Sequence, residues 1–279
     1  MKYTEHIIKN TENHRLPIIT DIHHCHKNWY DKTSDERIAL MCDALHQEYK
    51  TKKYDCILCL GDYSLDFWNY EIGGSYLHTP PMSYTDKFMK TYYPNFPTEC
   101  YMIPGNHEQY GAKKWKDITG FEREYCLIYG EYIFIMLDTF SVNLDPTENS
   151  DGVYSGVNAE FIQYISEKYQ DKKIILFAHY FDPKKESKET QDLIIKNTNI
   201  QCIFVGHRHI STTVFLDETW RNFPVFFCGN FSYHRSATTD SSDYYGDIFF
   251  SIANNKKIEW GYRILDLQGG MLRTDYIHI

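Results

Sequence analysis

The sequence predicts an α/β protein with mixed β-sheets. Apolar, strand-like runs alternate with helical stretches between Leu16 and Val205, and from Ser211 onward only strand-like runs follow. Alternation implies parallel strands joined by helices, and consecutive strands imply antiparallel ladders, so both should occur. The ends of the strand-like runs carry a further signal. Five of the runs empty abruptly into polar side chains.

Leu16–Thr20 is the first such strand, and it leads into the polar and aromatic loop Asp21–Tyr30. Thr33 and Glu36 make a capping box for a helix over roughly Ser34–Lys50, in which Ile38, Met41, Leu45 and Tyr49 recur at helical spacing. Tyr54–Leu60 is a buried strand ending at Gly61-Asp62. Residues 63–98 are rich in aromatics, Pro and Gly, with a helix near Ser83–Tyr92. This excursion is either a wall over a cleft or a surface insertion packed on its own side chains. Glu99–Ile103 leads to Pro104-Gly105-Asn106-His107-Glu108. Tyr125–Tyr129 and Tyr132–Leu137 form a hairpin about Gly130-Glu131, and Asn158 caps a helix over Val157–Tyr169. Lys173–Ala178 ends at His179, and a helix near Ser187–Asn197 precedes Gln201–Val205, which ends at Gly206-His207-Arg208-His209. Thr212–Leu216, Pro224–Cys228, Asp247–Ala253 and Ile258–Leu265 follow as strands, the last two joined at Asn254-Asn255, and the final residues add another.

Composition limits the function classes. The chain has 279 residues, 42% of them hydrophobic, and a net charge of −9. No long Lys/Arg block offers the footprint a nucleic-acid binder needs, so nucleic acid is not the expected partner. No apolar run is long enough to span a membrane. Met1–Arg15 is polar and mixed in charge, without the apolar region of a signal peptide, so a cytoplasmic location is expected. The 8 cysteines lie mostly in apolar runs and read as buried, reduced thiols. Cys56 and Cys59 are spaced as C-x-x-C, but on a strand they face opposite ways, which disfavours a metal or redox pair. No repeat or composition break marks a linker.

The strand ends collect Asp21, His23, Asp62, Asn106, His107, His179, His207 and His209. In α/β sheets ligands gather beyond the carboxyl ends of strands, so these side chains can converge. Each motif alone has a bland reading: a capped loop for Asp-x-His, a satisfied histidine for a lone strand-end His. All five in one chain are hard to ascribe to chance. Carboxylate, imidazole and amide suit first-row metals. No thiolate stands among them, which argues against a closed structural zinc site. The donors exceed what one open ion needs and suit two ions with a shared carboxylate. Paired ions of this kind serve phosphoryl displacement.

On these residues the chain resembles the calcineurin-like metallophosphoesterase superfamily, whose pattern runs D-x-H, G-D, G-N-H-[DE], H, G-H-x-H. The match covers roughly residues 16–232. The resemblance implies a four-layer α/β/β/α sandwich of two mixed β-sheets flanked by helices, with one metallophosphoesterase domain over residues 1–279. It implies two metal ions, Mn, Fe or Zn. Asp21, His23 and His209 would hold the first, Asn106, His179 and His207 the second, and Asp62 would bridge. His107 would be the acid beside the scissile phosphate, with Asn106 stabilising phosphoryl charge. Gly61-Asp62-Tyr63-Ser64-Leu65-Asp66 departs from the G-D-x-V-D-R-G of the protein phosphatases. The arginine is missing and the second acid is displaced, which lowers the odds of a protein phosphatase and leaves open whether Asp66 orients His107. His24 and His26 read as loop or substrate-facing residues.

The expected activity is hydrolysis of small phosphate mono- or diesters by in-line attack of a bridging hydroxide. A nuclease on the same site would need a basic groove, which the sequence lacks. A non-catalytic binding scaffold of the same fold would be marked by lost ligands, and none is lost. Specificity is expected in the loops Cys25–Tyr30, Tyr63–Tyr84 and Phe231–Tyr245, including Tyr233 and His234.

Overall fold

Two β-sheets lie face to face at the centre of the computed structural model, which describes residues 3–9, 12–26, 28, 32–69, 74–75, 84–142, 144, 151–231, 244–253, 257–266 and 271–278. In chain order the elements are β1 (Thr4–Ile7), β2 (Arg15–Ile19), α1 (Ser34–Thr51), β3 (Ile57–Cys59), β4 (Trp68–Asn69), β5 (Gly74–Ser75), α2 (Tyr84–Thr91), β6 (Cys100–Met102), α3 (Ala112–Thr119), β7 (Tyr125–Tyr129) and β8 (Tyr132–Leu137). They continue with α4 (Ala159–Lys168), β9 (Lys173–Ala178), α5 (Lys188–Lys196), β10 (Ile200–Val205), β11 (Ser211–Phe215), β12 (Pro224–Cys228), β13 (Tyr244–Ala253), β14 (Lys257–Asp266) and β15 (Met271–His278).

One sheet runs β15-β14-β13-β2-β3-β6, the other β1-β7-β8-β9-β10-β12-β11, and β4 and β5 form a two-stranded ribbon. Strands β2, β3 and β6 are mutually parallel, as are β8, β9, β10 and β12. β11 and β13 join antiparallel. Mixed sheets are thus present, as the alternation predicts.

Side chains alternate across each strand, and this period builds the layers. Leu16, Ile18, Leu58 and Ile103 of one sheet meet Leu127, Phe134, Phe177 and Phe204 of the other. Ile19, Ile57, Cys59 and Met102 point away from that core and are covered by Ile38, Met41 and Leu45 of α1, Phe88 of α2 and Trp115 of α3. Ile133, Ile135, Leu176 and Val205 are covered on the far side by Phe161, Ile162 and Ile165 of α4 and Ile194 of α5. The result is a four-layer α/β/β/α sandwich. Strands buried on both faces explain the continuous apolar runs in the sequence.

The helices begin where the caps predict. Thr33 Oγ1 accepts from Glu36 N at 3.1 Å while Glu36 Oε2 accepts from Thr33 N at 2.7 Å. Asn158 Oδ1 accepts from Phe161 N, and Ser187 Oγ from Thr190 N. β3 is shorter than Tyr54–Leu60, because its paired register spans only Ile57 to Cys59. Four elements gave no sequence signal: β1, α3 and the two-residue strands β4 and β5. β1 is a polar edge strand pairing parallel with β7. α3 buries only Trp115 and Thr119. The expected Asn254-Asn255 turn lies outside the described residues.

All eight cysteines are buried thiols outside any disulfide. Cys56 joins the core between the sheets and Cys59 the core under α1, so the C-x-x-C is split across two faces. Burial pushes the Cys42 and Cys126 thiols up to about 12, which keeps them protonated at neutral pH. Among the described residues no helix is long and apolar enough to cross a membrane.

Candidate metal centre

The five motifs leave the carboxyl ends of β2, β3, β6, β9 and β10 and meet where the two sheets abut. Backbone and side-chain bonds tie them together there. Asp21 N donates to Gly61 O at 3.1 Å and His23 N to Asp62 O at 2.9 Å. Across the sheets, His207 N donates to Asp21 Oδ2 at 3.0 Å and His179 Nδ1 to Leu60 O at 2.7 Å.

The backbone is unusual at this meeting point. Asp21, His23, Asp62, His207 and His209 have φ of 56°, 50°, 56°, 65° and 55°. Non-glycine residues seldom adopt this left-handed region, and each such residue costs on the order of 1 kcal/mol or more. Concentrating them at one place is the mark of a functional site. The loops also approach too closely for side chains between them. A Cβ on Gly105 would lie 2.1 Å from Asp62 Oδ1, and one on Gly206 would lie 2.0 Å from Thr20 Oγ1.

The side chains form three overlapping donor groups, each with its potential ligand atoms within 4.8 Å of one another. The first is Asp21, His23 and His209; the second is Asp62, His179 and His207; and the third, His23, Asp62 and His107, lies between them. His209 Nε2 is 3.0 Å from Asp21 Oδ1 and His23 Nε2 is 3.3 Å from Asp62 Oδ2. His179 Nε2 is 3.1 Å from Asp62 Oδ2. Asn106 Oδ1 joins the second group, 2.9 Å from both His179 Nε2 and His207 Nδ1. His107 stands beside the shared carboxylate, its Nε2 3.8 Å from Asp62 Oδ2 and its backbone N–H on Asp62 Oδ1 at 3.0 Å. All eight sequence-predicted residues are therefore brought together.

The electrostatics suit cations. Burial would raise the Asp21 carboxyl, yet His209 and His179 hold it down at about 2. Burial acts likewise on Asp62, and His179 and His107 hold it well below the usual carboxylate range. Burial drives His23 and His207 down to about 4, leaving neutral imidazoles with a lone pair to donate. His179 differs: burial lowers it, but Asp62 and Asp21 outweigh burial and hold it up at about 9. Protonated there, its Nε2 would donate toward Asp62 and Asn106. Metal binding would displace that proton. Two buried aspartates, imidazole nitrogens and an amide oxygen fit first-row metal ions.

Glu108 braces this arrangement without facing it. Its Oε2 accepts from Asp62 N at 2.7 Å and Gly105 N at 2.8 Å, and its Oε1 from Tyr63 N at 2.9 Å and Ser64 N at 3.2 Å. Arg123 supports the same turn from the other side, donating to Glu108 O at 3.1 Å and to Asp138 Oδ2 at 2.5 Å. Glu108→Ala orphans four buried N–H groups, and each unsatisfied donor costs about 1–3 kcal/mol before relaxation. We expect a net loss of ~4 kcal/mol and a drop in Tm of roughly 10 °C, measured by thermal unfolding of the metal-free chain. Glu108→Gln should fall between, because it keeps one acceptor oxygen.

Other sequence expectations resolve differently. Asp66 does not orient His107. It accepts from Tyr84 N at 2.6 Å, Thr85 N at 3.1 Å and Tyr110 Oη at 2.5 Å, so it secures the start of α2. His24 is neither plain loop nor substrate-facing. It is buried between α1 and α2, on Asp35 Oδ1 at 3.0 Å and Tyr84 O at 3.2 Å, whereas His26 is exposed. Tyr63 is core rather than specificity loop, packed on Phe88 and Trp115. Within the described part of the 63–98 excursion, α2 packs through Phe88 on the outer face of the first sheet, against Ile57 and Met102, rather than on its own side chains alone. Tyr233 and His234 lie outside the described residues, though Phe231 N, just before them, reaches Thr20 O at 3.1 Å. One site residue escaped the sequence: Asp151, whose Oδ1 accepts from Asn106 Nδ2 at 3.1 Å. No apolar run precedes it in the sequence, so it carries none of the strand-end signal.

Comparison with known proteins agrees with this geometry. Residues 14–211 match the family model described as calcineurin-like phosphoesterase. No curated protein matches the chain. Among solved structures, GAP50, the anchor in the inner membrane complex of Plasmodium, is similar at 14% identity and a TM-score of 0.56, over 95% of this chain and 88% of that one. Vps29 of Chaetomium thermophilum is 8% identical with a TM-score of 0.40, covering 95% and 97% of the two chains. A phosphatase from Mycoplasma pneumoniae is 10% identical with a TM-score of 0.42, covering 95% and 92%. At 14% identity the GAP50 likeness speaks to fold alone, and the two likenesses with TM-scores under 0.5 carry no argument; the family match over residues 14–211, well more than half of the chain, carries the assignment. The chain belongs to the calcineurin-like phosphoesterase family.

Proposed function

We propose that this chain is a metal-dependent hydrolase of small phosphate mono- or diesters, acting with two ions. The observation that supports it best is the convergence of two donor sets on Asp62. Asp21, His23 and His209 would hold one ion, Asn106, His179 and His207 the other, and Asp62 would serve both. Ions bound there, with Mn, Fe or Zn suited to these nitrogen and oxygen donors, supply Lewis acidity toward phosphoryl oxygens and lower the pKa of water.

The chain's own residues do the rest. His23 and His207, neutral by burial, present lone pairs without first losing a proton. His107 stands at the rim of the cluster beside Asp62, placed to give a proton to the departing oxygen. Histidine suits this because it exchanges a proton near neutral pH. An acidic protein can bind an anionic ester here because bound cations dominate the local field.

A nuclease would track a backbone with a basic groove, and a net charge of −9 without a Lys/Arg block gives no support to one. An anchoring role of the kind named for GAP50 is the remaining rival. The complete donor set, with strained backbone at five of its members, favours catalysis over it. The discriminating experiment strips the protein of metal and assays a panel of phosphomonoesters and diesters after adding Mn, Fe or Zn. Turnover of at least one ester class, absent from stripped protein, is expected; inertness toward all with metal bound would favour the anchor.

A further inference from the structure

Asp151 places a further carboxylate at the rim of the cluster. Asp151 accepts from Asn106 Nδ2 at 3.1 Å and stands 3.8 Å from His107 Nε2. The chain is fitted closely around that contact. Gly152 has φ of 69°, and a Cβ there would lie 2.9 Å from Asn106 O and 3.2 Å from both Asn106 Cβ and Phe140 Cδ1. Val142 and Val153 form an antiparallel bridge behind it, and Ser155 N donates to Thr139 O at 2.8 Å. Asp151 is thereby held against the one member of the cluster whose side chain has two chemically different ends.

We propose that Asp151 is a positioning residue that fixes the amide of Asn106 with its oxygen toward the second metal position. This rests on the metal-dependent reading above. An asparagine ligates a cation only through Oδ1, and a half-turn of the amide presents Nδ2, a donor that no cation accepts. In the observed orientation Oδ1 is 2.9 Å from His179 Nε2 and His207 Nδ1, and Nδ2 points away and needs an acceptor. Asp151 is that acceptor. The flipped amide would set its carbonyl oxygen against the Asp151 carboxylate and withdraw the oxygen donor from the two histidines. Asp151 is 59% exposed at its side chain, so water screens its charge and the directed hydrogen bond does the selecting. Partners that orient metal ligands are worth about tenfold to a hundredfold in metal affinity.

The test is calorimetric titration of the metal-free full chain with Mn²⁺, counting ions and their Kd values, with thermal unfolding to confirm folding. Wild type should take up two ions. Asp151→Ala should leave the first unchanged and weaken the second by ~10–100-fold. Asp151→Asn, whose Oδ1 can still accept from Asn106 Nδ2, should recover most of that affinity. Asn106→Asp has no amide to orient, so in that background Asp151→Ala should not weaken the second ion. Two ions bound equally well by Asp151→Ala would overturn the inference and leave the phosphoesterase reading standing. So would an Asp151→Asn as weak as Asp151→Ala, since charge rather than orientation would then be at work. A wild-type chain that binds no second ion would overturn both.

Discussion

His207→Gln should lose the second ion and with it turnover of every ester, whatever its leaving group. His207 Nδ1 lies 2.9 Å from Asn106 Oδ1, and the imidazole is neutral, held at about 4 chiefly by burial. Glutamine is of similar length but offers a weaker oxygen donor on a more flexible stem. The loss in affinity should exceed the tenfold to hundredfold cost of removing a mere supporting partner, so more than ~100-fold is expected. Elemental analysis after exhaustive dialysis should find fewer ions per chain than in the wild type. The fold should survive, because His207 is partly exposed and outside the three apolar clusters.

His107→Gln should behave in the opposite way: full metal content and most turnover gone. Proton donation by a positioned side chain typically contributes about 10²–10⁴-fold in rate. The loss should be largest for alkyl phosphates, whose leaving oxygen needs a proton. It should shrink for nitrophenyl esters, whose leaving oxygen hardly does. His107 Nε2 lies 3.8 Å from Asp62 Oδ2, and its ring sits 5.6 Å from that of His23, so the structure places it near enough to be a ligand instead. The variant separates the two roles. If His107→Gln loses metal as readily as His207→Gln, or slows both ester types equally, the acid role is wrong.

Much of this site was legible because strand ends leave a plain trace in a sequence. A continuous apolar run that stops at Gly-Asp or Gly-Asn-His declares both the strand and the loop that follows. The fold places such loops at one sheet edge, so the eight residues could be gathered without coordinates. What escaped lacked that trace. β1 is a polar edge strand held by backbone ladder bonds to β7, which any side chain can accompany. α3 presents only Trp115 and Thr119 to the core, too little for a period to show. Asp66 follows the same strand as Asp62, yet its partners, Tyr84 and Tyr110, come from distant segments that spacing could not supply. Asp151 reaches Asn106 across 45 residues of sequence separation, and no apolar run precedes it in the sequence. The left-handed backbone at Asp21, Asp62 and His207 is equally silent, since Asp and His accept that conformation without announcing it.

The most direct test of the dinuclear reading is a metal titration of stripped protein in which bound ions and hydrolysis of nitrophenyl phosphate mono- and diesters are followed together. The donor sets around Asp62 predict that binding saturates near two ions per chain and that turnover rises with the second. Turnover that is unchanged by stripping, or two ions bound with no ester hydrolysed, would contradict it.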